Sequence, residues 1–136
     1  MFIPENFVYT KGHQWILKDQ DSVLVTVGMT DFFQSRMEEI IYVERPPEGE
    51  TILAGEALFL IESGKTVYEF ASPLSGMLRE INGTVVDNPG IINTDPYGKG
   101  WLIKVEVDDA SWGAFLSPGE YRDYAATFTY PLPPAT

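Results

Sequence analysis

The chain has no cysteine, one histidine and few cations. Without cysteine there is no disulfide, no thiolate metal site and no cysteine nucleophile. If the protein takes part in redox chemistry, a cofactor must bring the sulfur. The single histidine, His13, cannot build a His-rich metal centre, and no acidic cluster completes one, so no metal site is expected. Nine Lys and Arg stand against 20 Asp and Glu, a net charge of −11. Such a surface repels nucleic acid and anionic membranes and suits encounter with electropositive partners. It is equally explained by solubility alone. No apolar run approaches membrane-spanning length. Residues 1–6 lack a positive start and a long apolar segment, so no secretion signal is predicted and a cytoplasmic location is expected.

What is present points to β structure. At 136 residues and 44% hydrophobic composition, the chain reads as one globular domain over 1–126. Residues 127–136, with Pro131, Pro133 and Pro134, read as a loose tail. Strands are predicted at 9–15, 23–27, 40–43, 77–81 and 101–107, and the run 23–27 is strongly β-branched. Thr30 or Asp31 caps a short helix over 31–37. Asn82-Gly83 is a tight-turn dipeptide, and 85–93 reads as a loop broken by Asn88-Pro89-Gly90. A helix is predicted over 108–116. A second begins at Ser117-Pro118, with serine as cap and proline in the first turn, and ends at 124 or 126. Short strands at regular spacing predict a mainly β sandwich or barrel with short peripheral and C-terminal helices. Trp15, Trp101 and Trp112 are candidate core aromatics.

One stretch carries a candidate site. Residues 57–61 climb into Glu62-Ser63-Gly64-Lys65-Thr66, and 67–70 descend from it to the turn Ser72-Pro73-Leu74-Ser75-Gly76. This is a β-hairpin with a single lysine at its polar tip. Gly64-Lys65-Thr66 is not a phosphate loop. That motif needs a glycine five residues before Gly64, where Phe59 stands, and a helix after Thr66, where a strand pattern follows. Taken alone, Lys65 reads as an ordinary solvated lysine, and Glu62 and Glu69 as surface charge.

The pieces His13-Gln14-Trp15, Val27-Gly28-Met29-Thr30-Asp31, Glu62-Ser63-Gly64-Lys65, Ser72-Pro73-Leu74-Ser75-Gly76, Ile92-Asn93-Thr94-Asp95-Pro96-Tyr97 and Gly100-Trp101-Leu102-Ile103-Lys104 fall in an order that resembles the lipoyl-carrier H proteins of the glycine cleavage system. The resemblance implies a barrel-sandwich hybrid of the lipoyl/biotinyl type and lipoate in amide linkage on Lys65. It also implies a carrier that serves enzymes and is not one itself. A lipoate ligase or lipoyl synthase/transferase would load the arm. Glycine decarboxylase, aminomethyltransferase and dihydrolipoamide dehydrogenase would then use it. Residues 93–97 form a turn that either shapes the surface near the arm or is purely structural.

Four positions depart from the family pattern. Gly64 and Thr66 stand where valine and alanine are usual, and glycine would permit a positive φ. Gln14 stands where a glutamate pairs with the aminomethyl amine, and Arg36 where histidine is frequent. A cation beside that amine is repulsive. These departures point first to the related lipoate-binding proteins of sulfur-oxidising, heterodisulfide-reductase-like systems. A glycine cleavage carrier of the aminomethyl group is the second reading, and an unmodified acidic interaction module the third. Glu62, Ser63, Gly64, Thr66, Glu69, His13, Gln14 and Arg36 are the candidate arm neighbours or partner-recognition residues.

Overall fold

The computed structural model describes residues 1–18, 23–46, 49–107 and 113–128. Nine strands and four short helices follow one another among these. They are β1 (Val8–Tyr9), β2 (Gln14–Lys18), β3 (Leu24–Met29), α1 (Asp31–Met37), β4 (Ile40–Val43), β5 (Thr51–Ile52), β6 (Ala57–Ser63) and β7 (Val67–Ala71). Then come β8 (Gly76–Ile81), α2 (Gly83–Asp87), α3 (Ile91–Thr94), β9 (Ile103–Glu106) and α4 (Pro118–Ala125). All pairings are antiparallel. One sheet runs β1-β2-β3-β9-β8-β5 and the other β4-β6-β7. This is the mainly β sandwich with peripheral helices that the strand spacing predicts.

Alternation explains the layering. Phe59, Ile61 and Ser63 of β6 and Tyr68 and Phe70 of β7 turn inward, while Leu60, Glu62, Val67 and Glu69 are half-buried or exposed. Ile16, Val25, Val27, Leu78, Ile103 and Val105 of the larger sheet meet them in one core. Phe59 and Phe70 stack at 4.5 Å between centroids. Each such side chain fully removed from water contributes roughly 1.5–3 kcal/mol. A second core gathers Ile3, Phe7, Tyr9, Trp15 and Phe32 under Tyr121 and Ala125 of α4. The two cores share the strand β2, whose Trp15 and Ile16 belong to one each.

Four sequence expectations are corrected. The 9–15 strand breaks in two, because the Thr10 hydroxyl accepts from Gly12 N and Gln14 N and folds the chain into a turn. His13 closes that turn at φ +64°. Residues 85–93 are not a loop: α2 and α3 occupy most of it, and Asn82 is the cap of α2 rather than part of a hairpin turn, its Oδ1 accepting from Thr84 N. Its amide nitrogen also donates to Lys99 O and Trp101 O. The helix predicted over 108–116 is absent from 113–116, where Leu116 instead bridges to Tyr9 by two backbone hydrogen bonds; 108–112 lie outside the described residues. Trp101 is only half-buried, with the Lys104 ammonium 4.9 Å from its ring centroid. Trp112 lies outside the described residues, as does 129–136 of the expected loose tail. Phe128, within the expected 127–136 tail, packs on Tyr124 at 4.8 Å.

Candidate functional site: the Lys65 hairpin

β6 and β7 pair in register up to Glu62 and Val67 and deliver the turn 63–66 beyond the sheet edge. Ser63, buried, builds that turn. Its N–H donates to Thr66 O at 2.9 Å, and its hydroxyl accepts from Lys65 N at 3.3 Å and Thr66 N at 3.2 Å. A serine at the end of a strand thus fixes the backbone from which Lys65 projects. Gly64 does not take the positive φ that glycine would permit, which leaves a looser tip as the other reading of a glycine there. A Cβ placed there would meet nothing within 4 Å. The tip is open space.

The Lys65 ammonium reaches back across the surface to Glu38, Nζ to Oε2 at 3.0 Å. Glu38 is the residue that ends α1. Sequence reading missed it, and no local signal marks it, since 27 residues separate the partners. The end of α1 is itself held by Asn93, which lies in α3 and not in the turn expected at 93–97. Asn93 Nδ2 donates to Glu38 O at 2.7 Å and to Gln34 Oε1 at 3.1 Å, and its Oδ1 accepts from Ile40 N. Pro96 O accepts from the Trp15 indole N–H at 2.9 Å. Glu62 is half-buried on the outer face of the small sheet, in register with Tyr42 and Val67. Glu69 is exposed further along β7, opposite Leu60. Thr66 is half-buried at the base of the tip.

The remaining candidates have other neighbours. His13 faces α4: its Nδ1 lies 3.0 Å from the Tyr121 hydroxyl and its ring stacks on Phe32 at 4.7 Å. Its Nε2 is buried without a partner among the described residues. Burial pulls the imidazole down to about 4, so the ring is neutral. Arg36 lies on α1 with its guanidinium 4.9 Å over the Phe32 ring, beside Ala125 and Phe128. Gln14 is buried, donating from Nε2 to Ala71 O at 2.7 Å and accepting from the Thr10 hydroxyl at 3.0 Å. It lines a cleft of about 390 Å³ with Tyr68, Ala71, Ser72, Phe115 and Leu116. Tyr68 closes one side, its hydroxyl donating to Gly12 O.

Chemically, the arrangement offers one amine on a hydrogen-bonded turn, paired with a carboxylate, that of Glu38. Among the described residues no group of His, Asp and Glu is placed to hold a metal ion. A lone amine projecting from a fixed turn suits covalent attachment better than catalysis.

Comparison with known proteins agrees with that geometry. The family model described as "Glycine cleavage H-protein" matches residues 7–127. The chain belongs to the glycine cleavage H-protein family. The glycine cleavage system H protein of Chlorobium limicola is 40% identical over 124 residues, covering 90% of this chain and 97% of that relative. That of Listeria monocytogenes is 38% identical over 123 residues, with the same coverage. The crystal structure of a glycine cleavage system H protein from Mycobacterium marinum superposes with a TM-score of 0.79 at 36% identity, covering 92% of this chain and 98% of that one. The two-sheet fold is therefore that of an H protein, the barrel-sandwich arrangement expected from the lysine hairpin and its flanking motifs.

Proposed function

We propose that this H-protein-family chain is the lipoyl carrier of a glycine cleavage system, with Lys65 as the attachment residue. It acts as a carrier presented to enzymes, not as an enzyme. The observation that carries the proposal is the lone Lys65 on a serine-fixed hairpin tip, in a chain of this family. The residues fit the group: Nζ is at the surface and the space over Gly64 is open. When bound, lipoate supplies a dithiolane whose sulfurs open and close by thiol–disulfide exchange. The chain's own residues hold its base. Ser63 sets the backbone of the tip, and the β6–β7 pairing holds its base at Glu62 and Val67. An extended lipoyl-lysine reaches on the order of 15 Å from its Cα.

The sulfur-oxidation reading takes second place. It rests on Gln14, Arg36 and the Gly64–Thr66 context, and the first two have structural employment: Gln14 bridges Thr10 to Ala71 and Arg36 covers Phe32. No altered cargo is needed to explain them. The relatives compared above are all described as glycine cleavage H proteins. The partners follow from this reading: a lipoate-attaching enzyme, then glycine decarboxylase, aminomethyltransferase and dihydrolipoamide dehydrogenase. No described helix is long and apolar enough to cross a membrane, and the proposed setting is the cytoplasm.

The test is intact and peptide mass spectrometry, under non-reducing conditions, on protein from its native host. A lipoyl mass on Lys65, lost in Lys65→Arg with an unchanged melting temperature, is expected. Extra sulfur on the lipoyl arm would move the sulfur reading back to first place. An unmodified Lys65 would leave an acidic interaction module and sink the carrier reading.

A further inference from the structure

Two residues other than glycine have positive φ among the described residues, and one of them is Glu38. Its φ of 64° with ψ of −150° lies in a region that is open almost only to glycine. A glutamate there is strained, and helix termination does not require it, since glycine would end α1 in the same conformation without cost. The surroundings force the geometry. Glu38 N donates to Gln34 O at 3.0 Å, Glu38 O accepts from Asn93 at 2.7 Å, and Ile40 N is tied to the same asparagine. What the glutamate has that glycine lacks is its carboxylate, and that carboxylate holds the Lys65 ammonium at 3.0 Å.

We propose that Glu38 is a charge-sensing latch for Lys65, holding the hairpin lysine down while it is a cation and releasing it once it is acylated. This rests on the reading of Lys65 as the attachment site. In the unmodified chain the ion pair folds the side chain against the end of α1, where only 29% of it is exposed. Acylation by an activated acyl donor removes two protons from the ammonium. The nitrogen lone pair forms the new C–N bond at the donor's carbonyl carbon, and the leaving group departs with the bonding pair. The product is a neutral amide, with no charge for Glu38 to hold. The same carboxylate that pairs with the amine before modification therefore has no ion pair with the loaded arm, only the weaker option of one amide N–H. Glu38 is a positioning residue in this account. Because both partners are partly exposed, the latch is weak and easily opened, as a substrate lysine requires.

Two variants separate the strain from the charge. Glu38→Gln keeps the left-handed backbone and removes the charge; Glu38→Gly removes both strain and charge. The unmodified full-length chain is treated with acetyl N-hydroxysuccinimide ester, and peptide mass spectrometry follows Lys65 against exposed Lys99 as internal reference. Both variants should acylate Lys65 about two- to fivefold faster than wild type, with Lys99 unchanged. Glu38→Gly should melt a few degrees above Glu38→Gln. In a Lys65→Gln background, the Glu38→Gln change should no longer shift the melting temperature. Unchanged Lys65 labelling in Glu38→Gln overturns the latch, and so does an equal melting shift in the Lys65→Gln background. Neither result depends on whether the native protein carries lipoate, which the native-host mass measurement reports separately.

Discussion

His13 shows how one residue couples three parts of the chain. It closes the turn between β1 and β2 at φ +64°, stacks on Phe32 of α1 and meets the Tyr121 hydroxyl of α4. That hydroxyl lies 2.7 Å from the hydroxyl of Thr30, which caps α1 by accepting from Phe33 N. Burial keeps the ring neutral to about pH 4 against an ordinary value of 6.5. The sign follows from proton counts. Between those two values the unfolded chain binds the proton and the folded chain does not, so stability rises with pH across that window. The contribution is fully present above about pH 6.5 and is lost as pH falls toward 4. It amounts to roughly 3 kcal/mol. His13→Asn keeps a residue that tolerates a positive φ and removes the titration. Urea midpoints from pH 4 to 7.5 should fall more steeply with acid for wild type than for His13→Asn. Parallel curves would place the acid sensitivity in the carboxylates alone.

At the scale of elements, the pairing of β2 with β3 sets a close tolerance. Trp15 stands opposite Gly28 in register, stacks on Phe7 at 4.7 Å, and is pinned by Pro96. A Cβ at Gly28 would lie 2.5 Å from the Trp15 indole. The ring cannot retreat without losing Phe7 and Pro96, so Gly28→Ala should cost about 1–3 kcal/mol, read from urea unfolding. An unchanged midpoint would mean that the indole has room to move. The sequence made such elements legible where one local rule decided the outcome. Helix α1 runs over the predicted 31–37 because Thr30 supplies a cap and Phe32, Phe33 and Met37 a buried face. Helix α4 starts where Ser117 and Glu120 form a reciprocal cap behind Pro118. The Lys65 hairpin was legible for the same reason. Illegible were the elements set by distant partners. Asn82 looks like a turn residue until Lys99 and Trp101 claim its amide. Leu116 looks helical until Tyr9 pairs with it. Glu38 is an unremarkable glutamate until a hairpin 27 residues away brings Lys65 to it.

For the whole molecule the governing quantity is charge, −11 over 136 residues. Three ion pairs, Lys65–Glu38, Arg79–Glu106, and Arg122–Glu5 at 4.0 Å, lie at partly or fully exposed positions. Exposed pairs contribute little, so the excess of carboxylates acts mainly as self-repulsion of the compact state. Raising salt shortens the screening length to about 8 Å at 0.15 M and weakens that repulsion. Folding stability should therefore increase from 10 to 150 mM NaCl. Association should respond in the opposite sense. A carrier with this surface is steered toward electropositive partners, and the same screening that relieves its self-repulsion weakens that steering. The on-rate for the lipoate-attaching enzyme should fall over the same range, while the urea midpoint of the carrier rises. Measuring both on one preparation isolates the cause, because a general effect of salt on folding would not slow association. Two slopes of opposite sign identify the −11 charge as the source of both. A flat on-rate would assign the acidic surface to solubility alone.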